Sequence, residues 1–209
     1  MKKLGNIFIL IGMALLIFVV YSKVQTYMEQ KKLMEEYTSL AFSQQSNEED
    51  KLTLQSSKKG DTIGILHIPE IGLETPIVEG ADLSNIKFAV GHLPSSGSMK
   101  DLGEKNHNFA IAGHRSYIYG KYFNRLDELK ENNKVIIYIG NKEYTYKVVS
   151  KEIVEPTDVE VVKPVKGQSL VTLITCHPKN SDKKRLIVFG EYVSERTFDG
   201  HEITEKLKL

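Results

Sequence analysis

From Leu4 to Ser22 the chain runs 19 residues without a charge, mostly Ile, Leu, Val, Phe and Met. A helix rises ~1.5 Å per residue, so this stretch spans about 28 Å, close to the ~30 Å hydrocarbon core of a bilayer. It shows no polar face, as the core helix of a soluble protein would. Lys2 and Lys3 precede it, as in a secretory leader, which is the main competing reading. The apolar run nevertheless exceeds the usual ~7–15 residues of such a leader, and no small-x-small cleavage site follows it. An uncleaved single-pass anchor over residues 4–22 is the expectation. Lys2, Lys3 and the α-amine hold the tip, residues 1–3, in the cytoplasm against a weaker pull from Lys23, which leaves the rest outside the cell membrane.

The other 187 residues hold 26 basic and 27 acidic side chains, a net charge of −1. No clustered basic excess is left for a nucleic-acid partner. With 41% hydrophobic and 26% charged residues overall, the body is neither disordered nor fibrous. It has room for one domain and a linker. One cysteine in 209 residues excludes an internal disulfide and a cysteine-rich zinc site; no metal or cofactor is expected. Residues 23–60 read as a stalk. Its first part, Val24–Phe42, is able to extend the membrane helix, and its second, Ser43–Gly60, is too polar to order itself.

From Asp61 to about Glu195, short branched apolar runs alternate with turn signals; residues 196–209 read as a tail. The expected strands are Thr62–Ile68, Leu73–Val78 (an edge, because of Pro76), Phe109–Gly113, Lys134–Ile139, Glu143–Val154, Leu170–Thr175 and Lys184–Tyr192. Gly-Asn-Lys at 140–142 is a hairpin turn. Helices are expected only near Leu83–Phe88 and Tyr122–Leu129. A mainly β domain follows, a closed barrel or a sandwich.

Cys176 ends the apolar run LVTLIT. A buried inert thiol is the ordinary fate of a cysteine; a lone thiol at a strand end outside the cell reads as a candidate nucleophile. Such a thiol needs a base. His114, closing FAIAG, ends an apolar strand in the same way, and adjacent strands would bring the two together although they are 62 positions apart. His67 reads as structural, His107 and His201 as solvated, His177 as pointing away from Cys176, and His92 as a loop residue to watch. Arg185, nine residues after Cys176, returns beside it if the two strands form a hairpin, where it is able to serve a developing oxyanion; as part of Lys183-Lys184-Arg185 it reads equally well as a surface cation.

The segments NFAIAGHR, TLITC and KRLIVFGE, in this order, resemble the sortases, membrane-anchored cysteine transpeptidases of Gram-positive bacteria. The resemblance runs from about Asp61 to Val193. It is greatest to class D, through the single amino-terminal anchor, the G-H-x-P motif at Gly91–Pro94 and Cys-His-Pro, with class A next. It implies a closed barrel of about eight strands with a few short helices, preceded by one transmembrane helix. It also implies His114 as acid and base, Cys176 as nucleophile, Arg185 at the oxyanion or substrate, and Thr175 with the loop Glu155–Ser169 as the substrate-binding region. The implied partners are secreted proteins bearing an LPxTG-like sorting signal, and the amine of a peptidoglycan precursor. An anchored thiol hydrolase and a non-catalytic barrel scaffold remain the alternatives.

Overall fold

The computed structural model describes residues 2–43, 58–115 and 122–198. Helix α1 (Lys2–Ser43) precedes eight strands: β1 (Thr62–Ile68), β2 (Leu73–Glu79), β3 (Val90–His92), β4 (His107–Ala112), β5 (Lys134–Ile139), β6 (Lys142–Val154), β7 (Ser169–His177) and β8 (Lys184–Thr197). The strands close into a barrel in the order β1-β2-β3-β4-β7-β8-β6-β5. Of the two expected architectures, the barrel is the one formed. Two of its ladders, β2–β3 and β4–β7, are parallel.

Alternation along the strands sorts the side chains. Phe109 and Ile111 of β4, Val171 and Leu173 of β7, and Leu186 and Val188 of β8 enter the main core. Their neighbours, at alternate positions, face outward. Closure leaves no edge strand, so Pro76 cannot sit on one. It pairs with Ile65 of β1 and precedes Ile77–Glu79, the only part of β2 that pairs with β3. On that side its missing N–H costs no ladder bond. Strand β3 was not expected from the sequence, since three residues show no readable period. Gly91 within it is packed so tightly that a Cβ would come within 2.6 Å of the Gly80 carbonyl oxygen.

The two expected helices are 3₁₀ turns, Asn85–Lys87 and Leu126–Glu128. Tertiary bonds hold the second segment instead of a helical ladder. Phe123 N–H donates to His114 O, and Arg125 bridges Glu128 and the Ile71 carbonyl.

Helix α1 is long and apolar enough over Gly5–Tyr37 to cross a membrane. It continues past the apolar run as expected, but that continuation is more than a spacer. Met34 and Tyr37 are buried in a second apolar cluster with Ile65, Ile136, Tyr138 and Phe198, on the outer face of β1 and β5. The Tyr37 hydroxyl accepts a 2.6 Å hydrogen bond from Gly140 N–H. The chain beyond β8 takes part as well: Phe198 packs on Tyr138 and lies under the Arg196 guanidinium. Residues 44–57 of the stalk and 199–209 of the tail, His201 among them, lie outside the described residues.

His107 is buried, against expectation, with Nε2 donating to Ser98 O at 2.7 Å. Burial holds its pKa below the ordinary histidine value. The folded state therefore resists a proton that the unfolded chain accepts near pH 6.5, so its contribution is complete above that pH and declines as pH falls. Thermal melts should plateau above about pH 7 and drop below about pH 6.5, with a shallower drop in His107→Gln. In full-length protein, Tyr37→Phe should cost about 1 kcal/mol for the lost bond. Tyr37→Ala should cost about 3–5 kcal/mol, because the aromatic ring is removed as well. Denaturant titration in micelles reads both; equal, negligible losses would mean that the helix does not dock.

Candidate active site

Register places the candidate residues in a row. Strand β4 pairs in parallel with β7 from His107↔Ser169 to Ala112↔Ile174, a constant offset of 62. The ladder continues one step as Gly113 N–H donates to Ile174 O at 3.0 Å. The same offset brings His114 level with Cys176. On the other side of β7, Cys176 pairs directly with Arg185 of β8. Partners that lie side by side in a ladder share one face of the sheet. Phe109, Ile111 and Leu173 point into the core, so alternation turns His114, Cys176 and Arg185 to the outer face. Adjacent strands are about 4.8 Å apart, so the thiol sits centrally with one partner on each side.

The electrostatics differ across the row. Desolvation by burial pulls the His114 pKa below its ordinary value, so the imidazole is neutral at pH 7 and is able to accept a proton. Cys176 is partly exposed. Arg185 is half-buried, and its Nη1 donates to the carbonyls of Asp182 and Lys184, folding the guanidinium against the β7–β8 turn. Lys184 next to it pairs with Glu155 at 3.1 Å and joins this turn to the start of the β6–β7 loop.

That loop lies over the lower part of the same outer face. Its 3₁₀ turn, Val159–Val162, is held by Asn108 of β4, whose Nδ2 donates to the carbonyls of Val161 and Lys163. Thr172 of β7 donates to Asn108 Oδ1 at 2.6 Å. Both side chains are fully buried. The loop is therefore preformed, with Val159 and Val165 left exposed.

Thr175 is buried and donates to Gly113 O at 2.7 Å. It fastens the His114 end of β4 to β7 and presents no free surface to a substrate. A stronger fastening comes from Arg115, which the sequence reading passed over in favour of its neighbour His114. Arg115 is 4% exposed. Its Nη1 donates to Cys176 O at 3.2 Å and to His177 Nδ1 at 2.8 Å, and its Nη2 pairs with Asp127 at 3.0 Å. One guanidinium thus ties together the segments that end in His114 and in Cys176. The Arg in NFAIAGHR was the available signal, but burial of a charge cannot be read from a motif.

The other histidines fall elsewhere. His177 is engaged by Arg115. His67 pairs with Glu74 across β1 and β2. His92 is buried in β3, stacks on Phe109 at 4.4 Å, and bonds Glu79 and Gly97 O through its two ring nitrogens. Among the described residues, no group of three His, Cys, Asp or Glu side chains converges on a metal position.

Comparison with known proteins places the fold in a family. The family model described as the sortase domain matches residues 66–193. Sortase SrtE1 of Streptomyces coelicolor is 30% identical over 206 residues, covering 93% of this chain and 58% of its own length; the chain thus spans just over half of that relative. The solved structure of a Clostridium perfringens sortase D5 transpeptidase superposes with a TM-score of 0.67 at 28% identity, covering 79% of this chain and 98% of that one. A Clostridium perfringens sortase C solved with a C-terminal cell wall sorting motif gives a TM-score of 0.62 at 27% identity, covering 79% and 88%. With the family model matched over residues 66–193 and the closed barrel shared with these structures, this chain belongs to the sortase family.

Proposed function

We propose that the protein is a membrane-anchored cysteine transpeptidase with its amino terminus in the cytoplasm and its barrel outside the cell. It cleaves an LPxTG-like sorting signal in secreted proteins and joins them to the amine of a peptidoglycan precursor. The observation that carries this reading is the in-register row of His114, Cys176 and Arg185 on one outer face. A nucleophile flanked by a base and a fixed cation is the minimum set for acyl transfer through a thioester. The sorting motif bound by the related sortase C supports the substrate class.

In the first half-reaction the Cys176 thiol gives its proton to neutral His114, and the sulfur attacks the threonine carbonyl of the signal. The C–N bond breaks as His114 returns the proton to the departing amine, leaving an acyl thioester. In the second, the acceptor amine attacks the thioester and loses a proton to His114; the thiolate leaves and is reprotonated. No ATP is needed, because the thioester retains the energy of the cleaved amide. Arg185 stabilises the oxyanion. A guanidinium has five N–H donors, and only Nη1 is engaged by the turn carbonyls. The preformed loop over Glu155–Ser169 reads the signal, with its exposed valines offering an apolar wall.

Incubation of the full chain in micelles with a fluorogenic LPxTG peptide and an amine tests the reading. A ligated product is expected; hydrolysed peptide alone indicates the thiol hydrolase, and an unreacted thiol indicates the scaffold. Cys176→Ala should abolish turnover, whereas Arg185→Lys should fold normally and lose about 10²–10³ in kcat/KM, since lysine lacks the planar fork. Near-native rates for Arg185→Lys would return that residue to the solvated surface. Asn108→Ala should raise KM roughly thirtyfold with a smaller change in kcat, because about 1 kcal/mol is lost for each of the two bonds holding the loop. An unchanged KM with a lowered Tm would make Asn108 purely structural.

A further inference from the structure

Helix α1 is docked along the barrel, and its direction is readable from two contacts. Tyr37 bonds to Gly140 in the β5–β6 hairpin. That hairpin is at the pole opposite the site, because β6 runs from Lys142 there to Val154 beside Arg185. Seven residues earlier in α1, the Gln30 side chain reaches the Tyr122 hydroxyl, which itself donates to Lys87 O. Tyr122 adjoins Phe123, whose N–H bonds His114 O. Passing from Tyr37 to Gln30, toward the apolar segment, therefore means passing from the far pole to the site pole.

We propose that this docking turns the active-site pole of the barrel toward the bilayer, so that the lipid headgroup layer is the surface it faces. The proposal rests on the reading of α1 as a membrane-spanning anchor. Gln30 lies eight residues beyond Ser22, the last residue of the uncharged run, or about 12 Å along the helix axis. The headgroup region is about 5–8 Å deep on each side, so the site pole stands close above it. The far pole, level with Tyr37, stands about 10 Å higher. A free stalk would let the barrel tumble; the burial of Met34 and Tyr37 against Ile65, Ile136, Tyr138 and Phe198 removes that freedom. The orientation follows from packing and not from surface charge, so it is independent of lipid charge.

The lone cysteine supplies a probe. Full-length protein labelled with a donor dye at Cys176 is reconstituted in vesicles carrying a headgroup-labelled acceptor lipid, and compared with Cys176→Ser/Asn141→Cys labelled at the far pole. Flotation with the vesicles is checked first; protein that stays in the soluble fraction sinks the anchor reading, and the proposal with it. Given flotation, energy transfer should be clearly stronger from Cys176 than from position 141, in both zwitterionic and anionic vesicles. Adding Met34→Asp and Tyr37→Ala to each should bring the two signals together. Equal or stronger transfer from position 141 in the undisrupted protein would overturn the proposal while leaving the anchor reading intact. A difference seen only in anionic vesicles would overturn the claim that docking sets the orientation.

Discussion

The parallel ladder between β4 and β7 is the constraint on which the rest of the site depends. Its offset brings His114 to Cys176, and the antiparallel ladder to β8 adds Arg185. A slip of one residue in either ladder would turn one member of the row into the core. The core prevents this, because Phe109, Ile111, Val171, Leu173, Leu186 and Val188 cannot face solvent without losing their burial. The placement of these three groups is thus enforced by apolar residues that lie inside the barrel.

Where the ladders end, buried polar side chains take over. Thr175 closes on Gly113, Arg115 on Cys176 O and His177, and Asn108 with Thr172 on the β6–β7 loop. These groups would be costly if unpaired, so each commits a loop or strand end to one arrangement. They form a belt beneath the site whose hydrogen bonds do what secondary structure no longer does there.

Much of this was legible in the sequence, and the remainder was hidden for identifiable reasons. Seven of the eight strands could be read because branched apolar runs between turn residues carry their own signal. The row of His114, Cys176 and Arg185 could be anticipated because all three lie at strand ends. Strand β3 has three residues and no period. The helix expected near Tyr122 was displaced by tertiary bonds that no local pattern encodes, and the one expected near Leu83 is a single 3₁₀ turn. Docking of α1 depends on Met34 and Tyr37 meeting Phe198 from the other end of the chain, a partnership between distant segments. Burial of Arg115, Asn108 and His107 likewise appears only once the barrel is closed.

Non-local assembly of the row has a consequence for the order of events during synthesis. The β7–β8 hairpin forms from near neighbours and can bring Cys176 to Arg185 early. The β4–β7 ladder joins positions 62 apart and must first meet the entropy of closing that loop. Until it forms, His114 is not beside Cys176. An unfinished chain therefore carries Cys176 without His114, and the pairing exists only in molecules that have completed the barrel.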